Sequence, residues 1–190
     1  MHSKEYQAQL RQVHSGRPEH KKWGTTGGRN FGAWVTDYIN DHNGWIKSVL
    51  DFGAGQQTLG QRVLSNVRVP ITWVDYDPGI PEISDDSLLD VKRDLVVSSD
   101  VLEHVEPEQL AGTIQQLRDC AGKAQYHHIA CDPCGLILPD GRNAHLSIHA
   151  PEEWREMLVG DGWKVMYWNN ELERKRGNLR RACRILLERA

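Results

Sequence analysis

Residues 49–55 read VLDFGAG, a short apolar run that ends in two glycines. The run belongs to a predicted strand, residues 47–51, and apolar side chains at helical spacing follow it over residues 57–67. Glycines at a strand-to-helix turn let the backbone approach a ligand closely, and the new helix offers unpaired N–H groups. Two glycines alone are a weak signal, but the strand before them and the helix after them indicate the first β-α-β unit of an α/β sheet.

Apolar strands and amphipathic helices alternate along the rest of the chain, which predicts a sheet covered on both faces. The further predicted strands are 71–75, 94–99, 125–131, 163–168 and 182–188, and the further predicted helices are 33–40, 106–120 and 150–159. The last two strands are joined by a short polar turn at 174–180, so they must pair antiparallel. The predicted fold is therefore α/β: a Rossmann-like, doubly wound, mostly parallel sheet with an antiparallel C-terminal hairpin. We expect residues 1–32 to form an N-terminal arm with loops and residues 33–190 to form a single domain.

Composition excludes several classes of protein. The chain has 190 residues, of which 39% are hydrophobic and 26% charged, close to the average of globular proteins and unlike a disordered chain or a coiled coil. No apolar run reaches the length of about 18 residues that a membrane helix needs, and the first residues lack the apolar core of a secretory signal. Four cysteines are too few for a disulfide framework, so we expect reduced thiols and a cytoplasmic protein.

Charge is distributed unevenly, although the net charge is only −3. Residues 1–34 carry six Lys/Arg against two Glu, residues 75–110 carry eleven Asp/Glu against two Lys/Arg, and residues 171–189 carry seven Lys/Arg against three Glu. An acidic middle between two basic ends suggests a site that binds chemically different parts of a ligand. Solvated faces and helix ends explain the pattern equally well.

Two further signals follow the glycine turn. Asp75 stands 24 residues after Asp51 at the end of the second strand, where a carboxylate can accept hydrogen bonds from both hydroxyls of a ribose; Asp77 is a near competitor. SSDVLEHV, residues 98–105, comes directly after an apolar strand. In order and rough spacing, DFGAG, the acidic end of the second strand and SDVLEHV resemble the class I S-adenosylmethionine-dependent methyltransferases, over about residues 45–170.

This resemblance implies S-adenosylmethionine as the cofactor, transfer of its methyl group, and S-adenosylhomocysteine as the product. It places Gly53 and Gly55 along the methionine part of the cofactor and implies that Asp51 orients their loop. Asp75 would hold the ribose, and the neighbouring Tyr76 is expected among the cofactor-binding residues.

The resemblance extends to the sulfonium end of the cofactor, which the backbone around Ser99 and Asp100 would face. Trp23 stands in the glycine-rich segment KKWGTTGG, where an N-terminal arm can close over the cofactor; the alternative is an arm that merely docks on the sheet. KKWGTTG, DPCGLILPDGRNAHL and PEEWREML also resemble small phage-encoded proteins of the superfamily.

The sequence departs from the family pattern at two places. Gln57 stands where the loop usually has its third glycine, so we expect an ordinary backbone conformation there. Only 18 residues separate Asp75 from Asp94, where the family, whose sheet has seven strands, fits a helix, a strand and an acidic residue that contacts the adenine amino group. Prolines and a glycine in this segment argue against a helix. The residues that can replace the adenine contact remain open: Ser84, Asp85, Asp86 or Asp90.

Candidates for binding the methyl acceptor follow the fourth strand, at the carboxyl edge where α/β sheets bind ligands. They are His127, His128, Asp132, Asp140, Arg142, Asn143, His145 and His149. Among them Asp132 and His145 are the candidate catalytic bases, and Arg142 can hold an anionic group. The alternative for each residue is a polar loop that satisfies its own backbone. We expect His104 to cap or pack beside a helix start rather than to react.

A metal-binding pattern overlaps this region. Cys131, Cys134, His145 and His149 are spaced similarly to a two-cysteine, two-histidine zinc site. The spacer is slightly short, and Cys131 ends an apolar strand whose neighbours fit the methyltransferase interpretation. We therefore expect no metal.

The sequence thus predicts an S-adenosylmethionine-dependent methyltransferase that acts on an unidentified small-molecule or nucleotide acceptor, without membrane association. Two alternatives stay open. A non-catalytic, methyltransferase-like binding or scaffold protein is favoured by Gln57 and by the shortened segment 76–93. A nucleic-acid methyltransferase would use the basic ends of the chain, but SSDV at 98–101 replaces the Asn-Pro-Pro-Tyr type of motif found in many enzymes that methylate exocyclic base nitrogens. ERKRGNLRR, residues 173–181, is interpreted as a solvated hairpin turn or else as a phosphate contact.

Overall fold

The computed structural model describes residues 3–15, 30–175 and 178–190. Its helices are α1 (Lys4–Ser15), α2 (Asn30–Asp41), α3 (Thr58–Leu64), α4 (Pro107–Cys120) and α5 (Pro151–Leu158). Its strands are β1 (Ser48–Phe52), β2 (Thr72–Tyr76), β3 (Arg93–Ser99), β4 (Ala121–Ala130), β5 (Trp163–Lys175) and β6 (Asn178–Arg189). The strands form one sheet in the order β2-β1-β3-β4-β6-β5.

The sheet has the predicted mixture of parallel and antiparallel pairs. Strands β2, β1, β3 and β4 are parallel, whereas β6 pairs antiparallel with β4 and with β5. The C-terminal hairpin is longer than the sequence predicts, because pairing continues to Lys175 opposite Asn178. Most of the basic run at 173–181, interpreted as a hairpin turn, is therefore paired strand, and residues 176 and 177 lie outside the described residues.

The segment between β2 and β3 is irregular, as predicted. It contains two short 3₁₀ turns, Pro81–Ile83 and Asp86–Asp90, and no α-helix or strand. The described sheet thus has one strand fewer than the family resemblance implies, and β2 forms its edge. Pro78 and Pro81 explain the missing helix, because proline lacks the N–H that a helix interior requires.

Two hydrophobic layers cover the sheet. Val49 and Leu95 pack with α2 and α3, while the next residues, Leu50 and Val96, pack with α4 and α5 on the opposite face. Side chains alternate along a strand, so strands that are buried on both faces read as continuous apolar runs. Each of these four side chains is fully buried, which contributes about 1.5–3 kcal/mol per residue relative to exposure. The doubly wound fold predicted from sequence is confirmed.

Helix α1 lies in the segment for which the sequence predicts an N-terminal arm with loops. Tyr6, Leu10 and Val13 lie on one helical face and pack against Leu138 and Ala144 in the loop that follows β4. This helix is not predicted from the sequence, because the segment is mostly polar and has few apolar residues to set a helical period. The helix covers the loop that holds the predicted acceptor residues.

The predicted boundary between residues 32 and 33 falls inside a helix, since α2 begins at Asn30. The division into an arm and one domain stays a prediction. Trp23 and the glycine-rich segment around it lie outside the described residues. All four cysteines are described and are free thiols, and three of them are buried. No described helix combines the length and the apolar character needed to cross a membrane.

Candidate functional site

The glycine turn after β1 is held by the backbone of β2. Gly53 has a φ of 78°, and the N–H groups of Gly53 and Ala54 both donate to the carbonyl oxygen of Tyr76, at 2.7 and 3.0 Å. A Cβ atom on Gly53 would lie 2.7 Å from Cγ1 of Val101 and closer still to its Cγ2. Glycine is therefore required here by the left-handed backbone and by close packing against the loop that follows β3.

Asp77 orients the second half of this turn. The N–H of Gly55 donates to Oδ2 of Asp77 at 3.0 Å, and the N–H of Gly79 donates to Oδ1 at 2.8 Å. Asp77 is 6% exposed. Its hydrogen bond to Gly55 is the kind of contact to the glycine loop that the resemblance implies for Asp51. The expectation of an ordinary backbone at Gln57 is wrong: its φ is 58°, the left-handed conformation that a glycine adopts without strain.

Acidic side chains gather at the carboxyl ends of β1 and β2. Asp51 pairs in register with Asp75 and is 2% exposed, and its Oδ2 has no hydrogen-bond partner among the described residues. Burial, followed by repulsion from Asp75 and Asp77, raises the pKa of Asp51 well above its ordinary value. Burial also raises the pKa of Asp75, although Nε1 of Trp73 donates to its Oδ1 at 2.8 Å. This edge is rich in acceptors and suits a ligand that brings hydroxyl or ammonium donors.

The loop after β3 lies against the glycine turn. The Oγ atom of Ser99 is buried without a hydrogen-bond partner in the described parts of the chain. Asp100 has a φ of 55°, its N–H donates to the carbonyl oxygen of His128 at 2.9 Å, and its Oδ1 lies 3.3 Å from Nδ1 of His128. The sharp turn at Asp100 leads directly to Val101, which packs on Gly53.

Tyr76 contributes its carbonyl oxygen to the glycine turn, but its side chain is buried in the core. The ring lies 5.3 Å from that of Phe52, and the phenol donates to Oδ1 of Asp86 at 2.7 Å. Asp85 accepts a hydrogen bond from the N–H of Ser87, and Oγ of Ser84 donates to the carbonyl oxygen of Pro81. Three of the four candidates for the adenine contact therefore already make hydrogen bonds within this segment. A cofactor contact by the Tyr76 side chain and the choice among the adenine candidates stay predictions.

Two of the predicted acceptor residues, His127 and His128, are buried and are not available to an acceptor. Nδ1 of His127 lies 2.8 Å from Oγ of Ser98, and its Nε2 lies 3.2 Å from Oε1 of Gln125. Burial lowers the pKa of His127 to about 3, so its ring is neutral at physiological pH. Ser98, His127 and Gln125 therefore form a row of buried, hydrogen-bonded polar side chains rather than a reactive group.

Asp132 is poorly suited to act as the base that the sequence suggested. Its Oδ2 accepts the N–H of Arg181 at 2.6 Å, and its Oδ1 accepts Nη2 of the same residue at 3.0 Å. Burial raises the pKa of Asp132, but the hydrogen bonds and charge of Arg181 outweigh burial and hold it below its ordinary value. Its carbonyl oxygen accepts Nδ1 of His145 at 2.6 Å, so the residue positions His145.

The remaining acceptor candidates organise their loop. Arg142 pairs with Asp140 at 2.7 Å at the exposed tip, which neutralises the charge that was expected to hold an anion. The side chain of Asn143 accepts the N–H of His145 at 2.9 Å and donates to the carbonyl oxygen of Cys134 at 2.8 Å. The interpretation as a self-satisfied polar loop therefore describes these three residues.

Glu103 is a polar residue that the sequence analysis did not single out. It is fully buried; its Oε1 accepts the N–H of Ala130 at 2.9 Å, and its Oε2 has no partner among the described residues. A carboxylate oxygen of Glu103 and one ring nitrogen each of His104 and His145 lie within 4.8 Å of one another. Burial and then repulsion from Asp100 raise the pKa of Glu103 to about 7, against the influence of His145. The adjacent acid and histidine of DVLEHV, Glu103 and His104, were a signal in the sequence for this cluster. No known spacing rule, however, links this pair to His145.

The two-cysteine, two-histidine set is not assembled. The thiol of Cys131 is buried and directed at its own strand, and His149 lies 3.8 Å from Glu153 on α5. Within the described ranges, the one cluster of three metal-ligating side chains is Glu103, His104 and His145.

Comparison with known proteins gives matches in structure only. No family model matches the chain, and no curated protein matches it by sequence. The 1,6-didemethyltoxoflavin-N1-methyltransferase of Burkholderia thailandensis, bound to S-adenosylhomocysteine, matches with a TM-score of 0.64 and 14% identity, over 98% of this chain and 89% of that chain. The magnesium protoporphyrin IX methyltransferase of Synechocystis PCC 6803, bound to S-adenosylmethionine, matches with a TM-score of 0.61 and 15% identity, over 96% and 90%.

A nucleic-acid enzyme is also among the similar structures. The small RNA methyltransferase HEN1 matches with a TM-score of 0.58 and 12% identity, over 84% of this chain but 25% of that chain. Identities this low establish the fold alone, and the narrower resemblance to phage-encoded proteins stays a prediction. The chain therefore has the Rossmann-like fold of the class I S-adenosylmethionine-dependent methyltransferases.

Proposed function

We propose that this protein is an S-adenosylmethionine-dependent methyltransferase with a small-molecule or nucleotide acceptor. The observation that carries the proposal is a pair of buried acceptor atoms without partners among the described residues, Oδ2 of Asp51 and Oγ of Ser99. They lie at the carboxyl ends of two neighbouring parallel strands, β1 and β3, where open α/β sheets bind their ligands. Buried polar atoms are rarely left unpaired, so these two indicate a bound partner.

The residues at this edge fit the cofactor part by part. Asp51 and Asp75 supply acceptors for the ammonium group and the ribose hydroxyls, and the glycine turn lets the ligand approach the backbone at Gly53 and Gly55. Ser99 and the turn at Asp100 would line the sulfonium end. When bound, the cofactor supplies a methyl group that is already electrophilic, so the protein has mainly to hold the acceptor in line with it.

The acceptor side is formed by the loop after β4 and by α1, which covers it. Ser3 fixes the start of α1, because its N–H and its Oγ both donate to the carboxylate of Glu106 at 2.8 Å. A covered loop of this kind suits an acceptor of small size. The names of two of the similar structures, a 1,6-didemethyltoxoflavin methyltransferase and a magnesium protoporphyrin IX methyltransferase, support a small-molecule acceptor.

Calorimetric titration with S-adenosylhomocysteine tests the proposal. We expect one binding site per chain and a loss of about 10–100-fold in affinity in Asp75→Ala, because a hydrogen bond to a charged group contributes about 1.5–3 kcal/mol. Asp161→Ala, which removes an exposed carboxylate before β5, is the matched control and should bind like the wild type.

Turnover separates an enzyme from a scaffold with the same fold. Protein that binds the cofactor is incubated with S-adenosylmethionine and a panel of small-molecule, nucleotide and RNA acceptors, and released S-adenosylhomocysteine is measured. Consumption that depends on a small molecule or nucleotide supports the proposal. Binding without consumption on any acceptor favours the scaffold interpretation, and consumption with RNA alone favours the nucleic-acid interpretation.

A further inference from the structure

We propose that Glu103, His104 and His145 bind a divalent transition-metal ion. The ligand atoms of the three side chains lie within 4.8 Å of one another, close enough for small side-chain movements to bring them to one ion. Such ions have ligands at about 2.0–2.2 Å, in sets that combine histidine nitrogen with carboxylate oxygen. This set differs from the two-cysteine, two-histidine pattern of the sequence and shares only His145 with it.

The two histidines are oriented as metal ligands are. Nδ1 of His104 lies 2.7 Å from the carbonyl oxygen of Ala144, and Nδ1 of His145 lies 2.6 Å from the carbonyl oxygen of Asp132. A carbonyl oxygen can only accept, so Nδ1 carries the hydrogen in both rings and Nε2 is the nitrogen left to bind an ion. The ring of His145 also has a hydrogen bond with the side chain of Cys134, which an ion would replace. Metal-binding histidines are commonly fixed in this way by a backbone carbonyl. The rings lie 4.7 Å apart, nearly perpendicular to each other.

The carboxylate provides the independent observation. Glu103 is fully buried, and its Oε2 has no hydrogen-bond partner among the described residues, whereas Oε1 is held by the N–H of Ala130. Burying a charged oxygen without a partner is unfavourable unless a cation pairs with it. An ion between Glu103 and the two histidines supplies that partner.

The donor set selects the kind of ion. Two imidazoles and one carboxylate suit Zn²⁺, Co²⁺, Mn²⁺ or Fe²⁺, whereas Mg²⁺ and Ca²⁺ prefer oxygen ligands alone. Three protein ligands leave a position open, as in catalytic metal sites. If the proposed methyl transfer holds, on which this step rests, an acceptor hydroxyl at the open position would have its pKa lowered by the ion, which favours a hydroxyl compound as the acceptor.

Cobalt titration tests the site without any activity measurement. Untagged protein, stripped with a chelator and dialysed, is titrated with Co²⁺, and the visible absorption of the bound ion is recorded. We expect one equivalent to bind, and Glu103→Gln and His145→Gln each to weaken binding at least 10-fold. His149→Gln is the control and should bind like the wild type, because His149 belongs to the alternative zinc pattern and not to this cluster. Urea unfolding checks that each variant is folded. If Glu103→Gln does not fold, Co²⁺ binding by His145→Gln tests the proposal instead, because His145 is partly exposed.

Three results would overturn the proposal: no saturable Co²⁺ binding at millimolar concentration, undiminished binding in both ligand variants, or loss of binding in His149→Gln. Titration of the chelator-treated protein with S-adenosylhomocysteine separates this proposal from the proposed function. If the protein binds S-adenosylhomocysteine but not Co²⁺, only the metal site is refuted. If it binds Co²⁺ but not S-adenosylhomocysteine, only the cofactor site is refuted.

Discussion

Replacing Gly53 by alanine tests how the glycine turn is built. The new Cβ would lie 2.7 Å from Cγ1 of Val101 and closer to Cγ2, and the residue would keep a φ of 78°. The left-handed backbone costs a residue with a side chain about 1–2 kcal/mol. Overpacking a well-filled site costs about 1–3 kcal/mol. We therefore expect Gly53→Ala to lower the free energy of unfolding by about 2–5 kcal/mol.

Two further variants separate these contributions. Gly44 has a similar φ of 83° with nothing within 4 Å of its would-be Cβ, so Gly44→Ala should lose only the backbone part, about 1–2 kcal/mol. Val101→Ala removes the two nearest atoms that the new methyl group meets, Cγ1 and Cγ2, and leaves Cβ at 3.1 Å. In a double-mutant cycle with Gly53→Ala, we expect a favourable coupling of about 1–3 kcal/mol.

Urea unfolding followed by tryptophan fluorescence measures each free energy, and unchanged m-values show that the transitions are comparable. The reasoning is refuted if Gly53→Ala loses no more than Gly44→Ala, or if the cycle shows no coupling between Gly53 and Val101. Either result would mean that the loop after β3 does not pack on the glycine turn.

Three other measurements address separate features of the chain. His127 has a pKa of about 3 in the folded protein, below its ordinary value of about 6.5, so His127 is protonated first in the unfolded state. As the pH falls from about 6.5 to about 5, the free energy of unfolding should therefore fall by about 2 kcal/mol. Urea titrations measure this pH dependence, and His127→Gln should remove it. Gln57→Gly should raise the free energy of unfolding by up to about 1 kcal/mol because it relieves the left-handed backbone, whereas Gln56→Gly, where φ is not positive, should lower it. Leu10→Ala should raise the protease sensitivity of α1 and destabilise the protein by about 2–4 kcal/mol, while the exposed Arg11→Ala should stay within about 0.5 kcal/mol of the wild type.

The sheet was predictable because its strands are local and strongly patterned. Continuous apolar runs such as VLDF and DLVVSS are typical of strands buried on both faces, and the observed β1 and β3 agree with the predicted strands to within one residue. The loss of the strand between β2 and β3 was also visible, since the chain segment is too short and too rich in proline. Helix α1 was not predictable in this way, because its three buried residues pack only against a loop that is distant in sequence, at Leu138.

The site was predicted less completely, because hydrogen bonds between loops that are distant in the chain do not produce a recognisable spacing of residues in the sequence. Asp51, Asp75 and Ser99 reach the expected edge of the sheet, but the direct contact to Gly55 comes from Asp77. The burial of Glu103 beside His145 depends on how the loop after β4 packs on residues 103–105, which follow β3, and this packing has no periodic pattern in the sequence.

The position of bound S-adenosylhomocysteine in a crystal of the complex tests the central claim most directly. We expect one ligand per chain at the carboxyl ends of β1, β2 and β3, with ligand atoms within hydrogen-bond distance of Asp51 and Ser99. A ligand bound elsewhere on the chain, or protein that stays ligand-free in crystals soaked at millimolar concentration, would contradict it.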